Sequence, residues 1–229
     1  MTKPSKRMNV NKETIDSNQN YSLDEAISLL KKTSNAKFNE TIDIAINLGI
    51  DAKKTDQNVR GSMVLPNGTG KTLKVIVFAQ SEQLDVAKNA GADEVGFEDL
   101  AEKIKSGFSE FDLVIATPDT MRIVGQLGQI LGPKGMMPNP KDGTVTNNVE
   151  DAVVKAKTGQ IRFRNDKGGV VHCPIGKTGF SEESIKENLG SLLDEIVKSK
   201  PSSAKGAFIK KVTISSTMGP GITIDHSTI

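Results

Sequence analysis

The sequence predicts a two-domain protein that combines the α/β and α+β classes. Strand-like segments of the terminal thirds, such as 40–49, alternate polar and apolar residues, the pattern of strands with one buried face. In the middle third, segments 74–79 and 112–116 are continuous apolar runs between helical patterns, which is typical of a buried parallel sheet. We therefore expect a split α+β sandwich domain formed by both termini and an inserted Rossmann-like α/β domain, at 1–67 with 160–229 and at 68–159.

The first third is predicted to hold one helix and two strands. Residues up to about Asn20 are polar and of mixed charge, and we expect them to form a loosely held tail. Ser22 and Glu25 have the spacing of a capping box, which predicts a helix from there to Lys32. The remaining segments are two strands and a Gly- and Pro-containing hinge loop, at 40–49, 60–65 and 66–70.

The middle third is predicted to alternate strands and helices. In chain order we expect strand 74–79, helix 82–90, short strand 94–96, helix 100–106, strand 112–116, a helix from 118 to about 131, and helix 149–157. The stretch 123–146 is too rich in Gly and Pro to be one helix, yet too apolar to be a disordered linker. We expect it to end the preceding helix and then form an ordered loop that caps the insert. Gly159 marks a second hinge.

Polar and apolar residues again alternate in the last third of the chain, as in the first. Strands 160–164 and 170–174 are predicted to form a hairpin around the turn 165–169, with Arg162 and Arg164 on its polar face. The pattern then predicts an amphipathic helix and a last strand, at 181–198 and 207–215.

Composition excludes several classes of protein. No apolar run approaches the roughly 20 residues that span a bilayer, and residues 1–20 lack the apolar core of a signal peptide, so we expect a cytoplasmic protein without membrane contact. Cys173 is the only cysteine, and His172 and His226 are the only histidines. This set allows no internal disulfide and leaves few places for a metal site or a nucleophile with a histidine base. We predict no catalytic residue, no metal site and no cofactor.

Charge is distributed unevenly along the chain. The net charge is +2, but residues 1–72 carry +3, residues 73–159 carry −4 and residues 160–229 carry +3. If the two terminal segments fold together, they form a basic lobe that suits a polyanion. Segment charges of this size also arise by chance, so the charge pattern does not decide the function.

A nucleotide-dependent enzyme built on the insert is the alternative function. Gly68-Thr69-Gly70-Lys71-Thr72 ends like a phosphate-binding loop, but the glycine that the motif requires five positions before Gly70 is Leu65. Such a loop also leads into a helix, whereas a strand is predicted next. No Gly-x-Gly-x-x-Gly follows the strand that ends at Ala79, which disfavours a dinucleotide site.

RNA fits the basic lobe better. Arginines can hold phosphates, an aromatic ring can pack on a sugar or base, and a threonine hydroxyl can bond the 2′-hydroxyl that distinguishes RNA from DNA. An aromatic residue at a strand corner, such as Phe38, is more often part of the core. The candidate contacts are Lys37 and Phe38 at a strand corner, Arg162, Arg164 and Lys167 on the hairpin, and Thr217, Met218 and Gly219 after the last strand.

Four motifs resemble the bacterial type of the large-subunit ribosomal protein L1 family. The longest is Gly-Gln-Leu-Gly-Gln-Ile-Leu-Gly-Pro-Lys-Gly-Met-Met-Pro-Asn-Pro-Lys, which ends at Lys141. The others are Phe163-Arg164-Asn165-Asp166-Lys167, the Pro-Ile-Gly-Lys that ends at Lys177, and Thr217-Met218-Gly219-Pro220. They occur in order over nearly the whole chain. The polar N-terminal tail and Cys173, where we expect a small residue such as alanine, depart from the family pattern.

The resemblance implies a non-enzymatic ribosomal protein that is a monomer when free. Its split domain would bind the mobile stalk of large-subunit rRNA near the tRNA exit site, and its insert would swing on two hinges as deacylated tRNA leaves. It would also repress translation by binding its own mRNA. The predicted RNA-binding residues are Lys37, Phe38, Thr41, Arg162, Arg164, Asp166, Lys167, Ser215, Thr217, Met218 and Gly219.

Overall fold

The computed structural model describes residues 6–16, 19–80 and 82–225. The chain forms two compact units, the terminal unit (1–70 and 161–229) and the insert (71–160). The helices and strands of the described residues are α1 Lys6–Thr14, α2 Leu23–Thr33, β1 Thr41–Leu48, β2 Arg60–Val64, β3 Val75–Phe78, α3 Glu82–Asn89, β4 Glu94–Gly96, α4 Glu98–Lys105, β5 Leu113–Ala116, α5 Met121–Gln126, α6 Gly128–Leu131, α7 Val149–Thr158, β6 Gln160–Arg164, β7 Val170–Lys177, α8 Glu182–Lys198, β8 Ile209–Ser216 and β9 Ile222–Ile224.

The terminal unit is built on a four-stranded sheet in the order β7-β1-β8-β9, in which neighbouring strands are antiparallel. Every second residue of β1, from Ile42 to Leu48, is buried, which confirms the predicted alternation. These side chains pack with α2 and α8 in one apolar core, to which Ile27 and Leu189 contribute. The other face of the sheet stays exposed or half-buried, and we call it the open face.

The predicted hairpin of β6 and β7 is wrong. β6 pairs with β2 in a separate two-stranded sheet, whereas β7 pairs with β1. A single bridge, from Asn165 to Val171, joins the two predicted arms. The buried Asn165 side chain accepts a hydrogen bond from the Val59 N–H at 2.8 Å, and the Asn165 N–H donates to the Val59 carbonyl at 3.0 Å. These bonds hold the end of β6 against the chain before β2, so the turn joins two sheets.

The prediction of a loosely held N-terminal tail is also wrong for the tail residues that the structure describes. Residues 6–14 form helix α1, and Ile15 belongs to the core of the terminal unit. Asn11 is buried and its side-chain amide donates to the Thr33 carbonyl at 3.5 Å. The tail prediction for residues 1–5, 17 and 18 lies outside the described residues. The capping box of α2 is confirmed, because Ser22 and Glu25 each accept a hydrogen bond from the other's backbone N–H.

The insert contains a three-stranded parallel sheet in the order β4-β3-β5. All four residues of β3 and of β5 are buried, as continuous apolar strands require. Apolar clusters cover both faces, one with α4 and α5 and one with α3 and α7. The predicted mixed fold, with an α/β insert, is confirmed. The single helix expected from 118 to 131 is instead a one-turn 3-10 helix followed by α5 and α6, which meet at Leu127.

The loop after α6 is ordered by its own contacts. Met136 and Met137 pack against the insert's core, and Val145 forms a parallel bridge with Ala116 at the end of β5. The buried Thr144 hydroxyl accepts from the Asn139 N–H at 2.8 Å and donates to the Asn139 carbonyl at 3.1 Å.

No helix in the described ranges has the length and apolar character needed to cross a bilayer.

Candidate nucleic-acid interface

Seven of the predicted residues belong to one end of the open face, where β1 begins and β8 ends, or to the segment that leads into β1. The Thr41 N–H donates to the Thr217 hydroxyl at 3.0 Å, and that hydroxyl donates to the Thr41 carbonyl at 3.2 Å. A hydroxyl has one proton and two acceptor positions, so Thr217 keeps one acceptor position for a ligand donor. We call this end the threonine corner; its predicted residues are Lys37, Phe38, Thr41, Ser215, Thr217, Met218 and Gly219.

A buried carboxylate holds the two segments of the threonine corner together. Glu40 is 2% exposed, and its two oxygens accept hydrogen bonds from the N–H groups of Ala36, at 3.2 Å, and Met218, at 2.8 Å. The side chains of Phe38 and Met218 nevertheless remain 54% and 47% exposed. Phe38 is therefore not the core residue that a strand-corner aromatic usually is. Exposed apolar side chains on an anchored backbone suit packing against a flat ligand.

Gly219 lies tightly against the Ser216 side chain in the turn that follows β8. A Cβ built on Gly219 would lie 2.5 Å from the Ser216 hydroxyl oxygen, which is closer than real Cβ contacts allow. The Gly219 N–H donates to the Ser216 carbonyl at 3.1 Å, so the turn folds tightly back on the strand end. The Met218 side chain is thereby presented on a short, constrained turn.

The other four predicted residues form a second cluster. Arg162 and Arg164 lie on the exposed side of β6, and Asp166 and Lys167 lie in the turn that leads to β7. One Asp166 oxygen accepts from the N–H groups of Val170 and Gly168, both at 2.8 Å. The bond from Val170 is the main cause that lowers the pKa of Asp166 below its ordinary value. Asp166 therefore serves as an acceptor that shapes the turn beside its cationic neighbours.

The two clusters lie at opposite ends of the sheet. Thr41 is opposite Lys177 in the β1–β7 pair, whereas Asn47 is opposite Val170, just after the turn. A strand rises about 3.3 Å per residue, so the ends of β7 are roughly 20 Å apart. The predicted residues therefore do not form one pocket. A ligand that touches both clusters must extend along the sheet.

The open face that connects the clusters contains residues absent from the predicted set. They can be found from sequence only when the strand register is known, since they come from three strands. They are Asp43, Ala45, Asn47, His172, Pro174, Lys211 and Thr213. Burial raises the pKa of Asp43, an effect that nearby His172 opposes. His172 Nε2 also lies 3.7 Å from an Asp166 oxygen, so it belongs to both the face and the second cluster.

The phosphate-loop alternative fails in the structure. Gly68–Thr72 leads into strand β3, so no helix N-terminus follows it to hold a phosphate. The Lys71 ammonium lies 2.9 Å from an Asp112 oxygen. Among the described residues, no group of three or more histidine, cysteine or acidic side chains is arranged to hold a metal ion.

Comparison with known proteins gives a consistent family. Residues 30–220 match the family described as "Ribosomal protein L1p/L10e family". The chain is 58% identical over 229 residues to a protein of Mannheimia succiniciproducens named "Large ribosomal subunit protein uL1", with all of both chains covered. Proteins of the same name from Vibrio vulnificus and Tolumonas auensis are also 58% identical, and the match covers all of this chain and 98% of theirs.

Proposed function

Because this chain belongs to the ribosomal protein L1p/L10e family, we propose that it binds large-subunit rRNA at the mobile stalk, near the tRNA exit site, and assists the release of deacylated tRNA. Its relatives carry the name of a large ribosomal subunit protein, and the chain is such a ribosomal protein rather than an enzyme. Ribosomal proteins of this bacterial type work in the cytoplasm.

The threonine corner is the observation that supports rRNA binding most directly. It combines two exposed apolar side chains, Phe38 and Met218, with the free acceptor position of the Thr217 hydroxyl. Unstacked bases of RNA loops and bulges stack on aromatic side chains, and a bond to a 2′-hydroxyl distinguishes RNA from DNA. Arg164 and Lys167 belong to the second cluster, whose turn adjoins the opposite end of β7, and would contact phosphates of the same RNA.

A binding assay with the full chain tests this function. We expect saturable binding to a transcript of the stalk region and much weaker binding to a transcript of the same length and shuffled sequence. Phe38→Ala should weaken the specific binding by about 1 kcal/mol or more, since stacking on an aromatic contributes about 1–3 kcal/mol per base. Val197→Ala, which truncates a similarly exposed residue on α8, is the matched control. Equal binding of both transcripts would contradict the proposal.

The terminal unit is proposed to hold the rRNA site without the insert. A chain of residues 1–67 joined by a short linker to residues 160–229 should then bind the stalk transcript as the full chain does. Circular dichroism must first show that this shortened chain folds. A folded chain that does not bind would mean that the insert supplies essential contacts.

The roles in mRNA repression and tRNA release rest on the family resemblance. If the same surface binds the chain's own mRNA, the mRNA leader and the stalk transcript should compete for one site. Addition of the protein should also lower translation of that leader in a purified system, and Phe38→Ala should relieve the repression.

For tRNA release, crosslinking in ribosomes whose exit site is filled should join the protein to the exit-site tRNA. We expect the free protein to sediment as a monomer.

A further inference from the structure

A second basic surface of the terminal unit lies at the end of the sheet opposite the threonine corner. Its exposed lysines come from the loop after β1 and from the segment 205–211, which includes the start of β8. Neither segment was part of the predicted site. We call this surface the lysine end; it consists of Lys53, Lys54, Lys205, Lys210 and Lys211.

Close backbone contact joins the two segments of the lysine end. The Gly49 N–H donates to the Phe208 carbonyl at 2.6 Å. A Cβ on Gly49 would lie 2.1 Å from the Ala207 carbonyl oxygen, so only glycine allows this approach. The buried Gln57 amide adds a second link, because its oxygen accepts from the Asp51 N–H at 2.8 Å and its nitrogen donates to the Ser203 carbonyl at 3.3 Å.

An irregularity in the register between β1 and β8 leaves two consecutive lysines exposed. Leu48 is opposite Ile209 and Asn47 is opposite Lys211, so Lys210 is an extra residue in β8. Such bulges redirect side chains at the edge or end of a sheet. Both Lys210 and Lys211 are exposed as a result.

The lysine end adjoins the second predicted cluster. The Leu48 N–H donates to the Gly169 carbonyl at 2.9 Å, which holds the turn with Lys167 beside the loop that carries Lys53. Within the described ranges, none of the five lysines forms an ion pair with a carboxylate. The nearby acids, Asp51 and Asp56, leave a clear excess of positive charge.

We propose that the lysine end is a further RNA-contact surface, which binds the phosphates of a helical segment that flanks the stalk RNA site. This inference rests on the proposed rRNA binding. Lysine is a point charge on a flexible stem, so these contacts would add affinity without reading sequence. They would extend the RNA footprint from the threonine corner over the whole length of the open face.

The salt dependence of binding tests the proposal in the full chain. Removing one lysine–phosphate interaction lowers the slope of log K against log salt concentration by about 0.7–0.9. Replacing Lys53, Lys54, Lys205 and Lys211 by glutamine should therefore reduce the slope for a stalk transcript with long flanking helices by about 3. Lys210 is left in place because its stem lies close to Gly49.

The matched control removes the same charge from the helical layer on the other face of the sheet. It replaces four lysines of α2 and α8 by glutamine, namely Lys31, Lys32, Lys186 and Lys198. We expect its slope to stay close to that of the unchanged chain. An equal loss of slope in both variants would show a general charge effect and overturn the proposal, as would an unchanged slope in the lysine-end variant. If the fourfold variant does not fold, the charge reversal Lys54→Glu gives the same test at one site.

Failure of this inference differs from failure of the proposed function. If the unchanged chain does not bind the stalk transcript, the proposed function is wrong. If it binds with high affinity and the lysine-end variant binds with the same affinity and slope, only the further surface is wrong.

Discussion

The carboxylate of Glu40 accepts a hydrogen bond from the backbone N–H of Met218, 178 positions further along the chain, at 2.8 Å. Its other oxygen accepts from the Ala36 N–H, which precedes Lys37 and Phe38. One buried side chain thus fixes both segments that carry the exposed apolar residues of the threonine corner. The relative position of Phe38 and Met218 depends on this carboxylate.

Glu40→Gln should destabilise the terminal unit and weaken RNA binding together. Glutamine has the same shape but one acceptor oxygen, so one of the two backbone N–H groups loses its partner. Hydrogen bonds to charged groups contribute about 1.5–3 kcal/mol, and we expect a loss of that order in urea unfolding. Glu183→Gln, on the exposed first turn of α8, should change stability by less than about 0.5 kcal/mol. Unchanged stability in Glu40→Gln would contradict the described role of the carboxylate.

Met218→Ala should weaken RNA binding with little loss of stability, whereas Thr217→Val should lower both. Met218 is 47% exposed and its backbone N–H bonds Glu40, so truncating the side chain should weaken RNA binding by about 1 kcal/mol or more and change the free energy of unfolding by less than about 0.5 kcal/mol. Thr217→Val removes the hydroxyl that bonds Thr41, so it should lower both stability and affinity by about 1 kcal/mol. Full affinity in both variants would remove the threonine corner from the RNA site.

Arg164→Ala should reduce the salt dependence of RNA binding. Without one arginine–phosphate interaction, the slope of log K against log salt concentration falls by about 1. Arg122→Ala, at an exposed arginine of the insert, is the matched control and should leave the slope unchanged. A slope equal to that of the unchanged chain would mean that Arg164 does not contact phosphate.

The insert should lose stability in acid through Asp112. The hydrogen bond from Lys71 is the main cause that lowers the pKa of this carboxyl, and the Lys74 N–H adds a second bond. The folded form therefore binds its proton less readily than the unfolded form. Its stabilising effect is complete above about pH 4 and is lost as the pH falls through the lowered pKa.

Urea unfolding at pH 5 and pH 3 measures this effect. We expect a smaller difference between the two midpoints in Asp112→Asn than in the unchanged chain. Asp119→Asn, at an exposed carboxylate of the same unit, should retain the full difference. Identical pH dependence in all three proteins would show that Asp112 does not contribute.

Local patterns predicted individual elements better than the pairing between them. The capping box at Ser22 and the alternation of β1 depend on residues close in sequence, so both could be identified. The hairpin of β6 and β7 was wrong because a turn signal does not reveal that Asn165 bonds Val59, 106 positions earlier. Helix α1 was missed because its sequence is polar overall and has no clear apolar face.

The candidate site, too, could be predicted from local sequence only in part. The residue types at Phe38, Arg164 and Thr217 were sufficient to suggest RNA. Their spacing in sequence could not reveal that β7 separates them into two clusters. Gly49 and Gln57, which join the loops of the lysine end, act through contacts with residues that are distant in sequence.

The position of β1 in the sheet also determines when the proposed RNA site can form during synthesis of the chain. Both strands that flank β1 are encoded after the insert, since β7 begins at residue 170 and β8 at residue 209. At about 5–20 residues per second, a translating ribosome needs roughly 6–24 s to reach β7 after completing β1. The insert is contiguous and can fold during this interval. The threonine corner needs residue 219 as well, so it can form only after the chain has been made through β8 and the turn that follows it.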